Sequence, residues 1–396
     1  MYLVWFLTVG AILSIVLGEF GQYPFGSTTL SISLTDLIVG IVMMLLLIWQ
    51  VQTKTVPKSV PKFMWFFLVF WMICFISLAA SLNFSGFAYL GRFLVYSSVV
   101  YLGYSLVQAK VSNILSIAKA IFVSGIILSL LGFIQLYFYP DLEPLYRYGY
   151  DPHKNRLFST FLDPNLLGSY LNIALLMGLF LFWKMKSRII LFFLCLIGVA
   201  VVLTFSRSAY LMLGVELFTF FAFFSRKVLV GLLIAGVLTT IFVPKVQQRI
   251  FGAFIVDTSA SERIVSWQNG FYLISQNPIL GVGFNNIRES QIENQLLRAS
   301  QKETVNSGSG LDSSLLFVGA TTGIVGMISF ISIYGYFLYS LLKNLKNEHK
   351  LLAVCLISAC FGIVVNSQFV NSLFFTPIML IWYVLVGSWF SEIRKK

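Results

Sequence analysis

The chain has 396 residues, of which 58% are hydrophobic and only 11% charged, and it carries a net charge of +12. Soluble domains carry about 25% charged residues, so this composition excludes a water-soluble globule, and the apolar runs point to a membrane bundle. The basic residues sit in short connections and are not interleaved with aromatics, which argues against a nucleic-acid partner.

A membrane-crossing helix needs about 20 mostly apolar residues. Runs of this kind lie, in chain order, near 2–20, 34–52, 63–82, 87–107, 114–138, 164–183, 188–205, 208–224, 228–243, 313–342, 351–365 and 371–390. The first run lacks a basic leader and a clear small-residue cleavage site, so it is expected to be a retained helix. The predicted fold is an all-α integral membrane protein of about twelve transmembrane helices. It divides into a first bundle segment over 1–243, a large extracytoplasmic loop over 244–312 carrying short amphipathic helices, and a last bundle segment over 313–396. Cys74, Cys195, Cys355 and Cys360 all fall in apolar runs and read as small buried residues.

With both termini placed in the cytoplasm, the cytoplasmic segments hold Lys54, Lys58, Lys62, Lys110, Lys184, Lys186, Arg188, Arg226, Lys227, Lys343, Lys346, Lys350, Arg394, Lys395 and Lys396. The short connections at 19–33, 83–86 and 366–371 hold no Lys or Arg. This is the positive-inside pattern. Two longer segments then fall outside, 139–163 and 244–312. In the second, Ile264, Val265, Trp267, Phe271 and Ile274 recur at helical spacing, with Ser259 or Ser261 as cap and Asn277-Pro278 as terminator. They predict an amphipathic helix on the membrane surface. Gly281-Val282-Gly283 predicts a turn, Ile292, Leu296 and Leu297 a second helical segment, and 306–310 a flexible lead into the next span.

Charges at a membrane boundary need a reason. Arg92 lies about five residues into its span, roughly 7–8 Å deep. It reads either as a snorkelling residue or as a ligand for an anion. Arg207, pinned between two spans with almost no loop, is either a headgroup anchor or a guanidinium turned into the bundle. The planar guanidinium fork suits a diphosphate. Arg263 opens the loop helix and pairs with Asp257, with a lipid phosphate or with substrate. Arg288 and Arg298 read as a solvated face, and His153 as either a solvated loop residue or a substrate contact. Asp312 stands immediately before a span, where it could cap the helix, act as a general base, or do both. Asp141 and Glu143 have a spacing that chance also produces, so no metal site is inferred. No phosphate loop, zinc motif or nucleophile elbow occurs.

Four stretches are familiar together. Arg156-Leu-Phe-Ser-Thr-Phe-Leu-Asp-Pro-Asn165 and Leu203-Thr-Phe-Ser-Arg207-Ser-Ala-Tyr resemble elements of the O-antigen ligase and O-antigen polymerase superfamily. Arg263-Ile-Val-Ser-Trp267 with Asn277-Pro-Ile-Leu-Gly281-Val-Gly283 resembles its long-loop core. Asp312-Ser-Ser-Leu315, with Gly319, Gly323 and Gly326, resembles the end of that loop. The resemblance implies glycosyl transfer at the outer face of a bacterial inner membrane. Donor and acceptor are saccharides on undecaprenyl diphosphate, and neither nucleotide sugar, metal nor cofactor is needed. Membrane lipid, a chain-length regulator and a flippase are the implied partners. By the resemblance, Asp312 is the catalytic base, standing where the family has histidine, and Arg207, Arg263, Arg92, Arg156 and His153 bind substrate. Polymerisation of lipid-linked repeat units is the leading expectation. A ligase moving finished glycan to another acceptor, a transporter of lipid-linked sugar and a non-catalytic scaffold are the alternatives. A transporter predicts charge at mid-membrane depth and broken helices.

Overall fold

Helices occupy all twelve expected stretches. The computed structural model describes residues 1–24, 31–54, 61–242, 244, 246–247, 258–297, 310–346 and 348–394. Lys58, Asp257, Arg298, residues 306–309, Lys395 and Lys396 fall outside these ranges. The first half of the chain forms α1 (Tyr2–Ser14), α2 (Leu34–Thr53), α3 (Lys62–Ala80), α4 (Phe87–Gln108), α5 (Ile114–Phe138) and α6 (Pro164–Met185). Then come α7 (Arg188–Leu203), α8 (Arg207–Phe224) and α9 (Arg226–Phe242). The loop contributes α10 (Thr258–Gln276) and α11 (Ile287–Glu293), and α12 (Ser314–Lys343), α13 (Lys350–Asn366) and α14 (Thr376–Glu392) complete the bundle.

The chain is a multi-pass all-α membrane protein. Among the described residues, eight helical segments are long and apolar enough to cross a membrane by length and composition, and α7, most of α9 and α13 are shorter apolar helices. The helices sort their charges: Lys62 opens α3, Lys343 ends α12 and Lys350 opens α13, defining a basic end. The segment 139–163, α10 and α11 lie at the opposite, loop end. A two-stranded antiparallel ribbon, β1 (Gln22–Pro24) and β2 (Ser31–Ser33), leads into α2.

Small residues let helices approach closely. A Cβ on Gly387 of α14 would lie 1.8 Å from the Val100 carbonyl oxygen of α4, and one on Gly103 would lie 2.3 Å from that of Val384. Three cysteines are buried, but Cys195 is exposed on α7, on the same outward side as Leu191, Phe192, Val199 and Val202.

α12 is broken at Gly323, whose φ of +68° only glycine adopts at low cost. The break frees backbone groups that need partners inside a membrane. The Asn277–Gly283 turn supplies them. Val282 and Gly283 donate to the carbonyls of Ala320 and Thr321 at 2.9 and 3.2 Å, and Ile324 donates to the Pro278 carbonyl at 2.8 Å. Gly281 (φ +69°) and Gly283 (φ +100°) make that turn, as expected. Asn286 then pins the loop to the α3–α4 connection. Its Oδ1 accepts from the Gly86 N–H at 3.0 Å and its Nδ2 donates to the Asn83 carbonyl at 2.8 Å.

α10 forms where the amphipathic helix was expected. Its described residues run from Thr258, so Ser259 and Ser261 lie within the helix rather than ahead of it. Its apolar positions divide between two environments. Trp267 and Ile274 pack on the bundle with Leu273, whereas Ile264, Val265 and Phe271 are exposed. Trp267 fixes the docking by donating its indole N–H to the Gln368 carbonyl at 3.1 Å, with its ring 5.7 Å from that of Phe369 and tilted by 45°. The second loop helix falls earlier than expected, at Ile287–Glu293, with Leu296 and Leu297 packed beyond its end.

Candidate active site at the loop end

Two stretches 40-odd residues apart are joined by hydrogen bonds. Leu157 donates to the Leu203 carbonyl at 2.9 Å, and Arg156 Nε donates to the Thr204 carbonyl at 2.8 Å. Arg156 Nη2 reaches Asn165 Oδ1 at 3.3 Å, and Ser206 Oγ donates to the same oxygen at 2.7 Å. Arg156 Nη1 lies 3.2 Å from His153 Nδ1. The two helix starts thus meet. Asp163 caps α6, accepting from Asn165 and Leu166 N–H groups at 2.6 and 3.1 Å, with Pro164 as first helical residue. Ser206 caps α8 through the Ala209 N–H, which leaves Arg207 as the first residue of α8, half-buried. Phe205 between them holds φ at +47°, a strained position for a bulky residue that the surrounding bonds over-determine.

Asp312 approaches from the other side. It does not cap α12; that is done by Ser313, whose hydroxyl accepts from the Leu316 N–H. Asp312 instead donates its own N–H to Ser266 Oγ at 2.9 Å. Ser266 lies one turn after Arg263 on α10. Burial pushes the Asp312 carboxyl up to about 6, opposed by the Arg263 guanidinium and reinforced by the charges of Asp151, Asp163 and Glu262. Asp151 is also raised, first by its surroundings displacing water and then by Asp163 and Glu262, with Arg156 opposing. These mutual influences place Asp312, Arg263 and Glu262 in one electrostatic cluster with Asp151, Arg156 and Asp163.

The connection after α13 closes the floor. Ser314 donates to the Ser367 carbonyl at 2.8 Å, and Ser169 of α6 donates to Asn366 Oδ1 at 2.9 Å. The starts of α6, α8 and α12 are therefore tied together at the loop end.

Residues 190–331 match the O-antigen ligase family. That stretch, 142 of the 396 residues, is similar to the same group whose motifs the sequence resembles. No curated protein matches the chain. The matched stretch contains Arg207, Arg263 and Asp312. It leaves out Arg92, His153 and Arg156, of which the structure joins His153 and Arg156 to the family's segment and Arg92 to something else.

Arg92 forms an ion pair with Asp36 at 3.2 Å and donates to the Ser31 carbonyl. Asp36 is itself half of the capping box that opens α2 with Ser33. Arg92 therefore ties α4 to α2 and the ribbon, and neither of its sequence-level readings described that contact. Asp141 is held by Lys154 at 3.3 Å and by the Glu143 N–H, which keeps its carboxyl below the usual range. Among the described residues no group of three or more His, Cys, Asp or Glu is placed to hold a metal ion.

Sequence reasoning gave no role to Asn165 and Ser206, which bridge the two motifs, or to Asp151, Asp163 and Glu262, which act on the Asp312 carboxyl, or to Ser266, which accepts its N–H. It also passed over Glu216, although a lone acidic residue inside an apolar run was legible. Glu216 is fully buried about 14 Å down α8 from Arg207, against Gly362 of α13, and neither carboxylate oxygen has a hydrogen-bond partner. An acidic residue deep in the bundle and the break in α12 are two features expected of a transporter, but the break is filled by the Asn277–Gly283 turn.

Proposed function

We propose that the chain polymerises saccharide repeat units carried on undecaprenyl diphosphate, working at the outer face of a bacterial inner membrane with both termini in the cytoplasm. One observation supports the reading: the Asp312 carboxyl, pushed up to about 6 by burial with the Arg263 guanidinium opposing, lies at the same end of the bundle as Arg156 and the start of α8, which bears Arg207. A general base works best when its pKa is close to the operating pH.

In the proposed reaction Asp312 takes the proton from the acceptor sugar's hydroxyl. The oxygen bonds to the donor's anomeric carbon from the face opposite the diphosphate, and the configuration inverts. The old bond breaks with its electron pair on the diphosphate oxygen. Arg207 and Arg263, with Arg156 and His153 behind them, meet that growing charge. The starts of α6 and α8 add their positive helix ends. Preorganised donors of this type are worth about 3–4 kcal/mol each. Arg92, committed to Asp36, has no part in this step.

A ligase would use the same groups and differ only in its acceptor. Gene deletion followed by sizing of the lipid-linked glycan separates the readings. Loss of a polymerase leaves single repeat units on the carrier outside the membrane, loss of a ligase leaves long polymer on the carrier, and loss of a transporter leaves units trapped inside. Arg207→Ala, expressed at parental level, should restore no polymer in the deletion strain. Parental polymer from that variant would remove Arg207 from the reaction.

A further inference from the structure

At the basic end, roughly 45 Å of helix from Asp312, the ends of α3, α12 and α14 line a half-open cavity of about 320 Å³. Each helix contributes one cation: Lys62 opens α3, Lys343 closes α12, and Arg394 follows α14. No Asp or Glu stands among the described lining residues. One wall is aromatic. Phe63 and Phe390 stack at 4.5 Å with 5° between their planes, and Tyr336 stacks on Phe390 at 5.7 Å. Arg394 is fixed in place: it donates to the Tyr104 hydroxyl at 2.6 Å and lies 5.7 Å over that ring.

Converging like charges are unfavourable unless an anion sits among them. The volume equals about ten waters at roughly 30 Å³ each, enough for a phosphate with a short polar headgroup. The aromatic wall selects the source of that phosphate. A soluble anion gains nothing from stacked rings, whereas a phospholipid lays its glycerol and first methylenes along them. Basic pockets between membrane helices are a known means of holding anionic headgroups. We propose that this cavity binds the headgroup of an anionic phospholipid, with Lys62, Lys343 and Arg394 on the phosphate and Phe63, Tyr336 and Phe390 beside the glycerol. This site does not depend on the sugar-transfer reading, and its test does not use activity.

The test is native mass spectrometry of the full-length protein in detergent with phosphatidylglycerol, phosphatidylcholine or inorganic phosphate. The parent should retain phosphatidylglycerol roughly tenfold better than phosphatidylcholine and should not be protected by millimolar phosphate. Lys62→Gln/Lys343→Gln/Arg394→Gln should lose that preference. Lys54→Gln/Lys110→Gln, at the same end but outside the cavity, should keep it. Equal retention of both lipids by the parent, undiminished preference in the triple variant, or equal loss in the control pair would overturn the proposal. So would phosphate displacing the lipid. If the triple variant does not purify, a phosphatidylglycerol with a photoreactive headgroup decides on the unaltered chain. Crosslinks at Tyr339 and Asn344, which line the cavity, support the site, and crosslinks confined elsewhere overturn it.

Discussion

The backbone N–H of Asp312 donates to Ser266 Oγ at 2.9 Å, fastening the start of α12 to the loop helix that carries Arg263. This bond sets the position of the candidate base relative to its counter-charge. Ser266→Ala should leave the N–H without that partner, at about 1 kcal/mol. Polymer formation in vitro should fall roughly fivefold, with protein abundance unchanged. Ser266→Thr keeps the hydroxyl and should restore most of the rate. If Ala and Thr behave alike, the bond does not position Asp312.

The Asp312 carboxyl also predicts a pH dependence. Polymer formation should rise with pH through about 6, because only the ionised form takes a proton. Asp312→Asn should lower the rate by roughly 100-fold or more and abolish that limb. Asp312→His should recover part of the rate, since imidazole titrates near 6.5. Full activity in the Asn variant would exclude proton abstraction by this residue.

Stability should run in the opposite sense. An aspartate in the unfolded chain titrates near 3.9, and Asp312 in the fold near 6. The folded protein therefore binds the extra proton between these values, and the stabilisation is complete below about pH 4 and lost as pH rises through 6. Ionised Asp312 weakens the fold at neutral pH. In detergent, Asp312→Asn should melt higher than the parent at about pH 7.5, and the difference should vanish near pH 4. A difference of the same size at both pH values would show that ionisation is not its cause.

Arg156 uses its fork as a brace: Nε on the Thr204 carbonyl and Nη2 on Asn165. Lysine has a single ammonium and cannot span both. Arg156→Lys should cost activity about tenfold or more while keeping the net charge. Parental activity in Arg156→Lys would reduce this residue to a point charge.

Glu216 and Gly362 predict a coupling. A Cβ added at Gly362 would lie 2.5 Å from Glu216 Cγ. Gly362→Ala should therefore destabilise by about 1–3 kcal/mol through overpacking. Glu216→Ala opens the space, so the double variant should recover part of the loss in a thermal-melt double-mutant cycle. Strict additivity would mean that the two helices separate rather than clash.

The helix bundle was legible in the sequence because hydrophobic run length and the side bias of Lys and Arg are local properties of a chain in a bilayer. The resemblance to the O-antigen ligase family was legible for a similar reason, since its motifs are short and contiguous. Partnerships were less so. Asp312 stands next to a helix start, yet Ser313 makes the cap, because only the backbone path decides which oxygen faces the free N–H groups. Arg92 looked like Arg207 in the sequence, but the fold gave it Asp36. The loop helix looked amphipathic, but the bundle took Trp267 and Ile274 and left Phe271 outside. The amino-acid order by itself determined which segments leave water. Tertiary structure alone decided which charges meet, because Coulomb and hydrogen-bond energies depend on distances of a few ångströms that residues tens or hundreds of positions apart reach only after the helices pack.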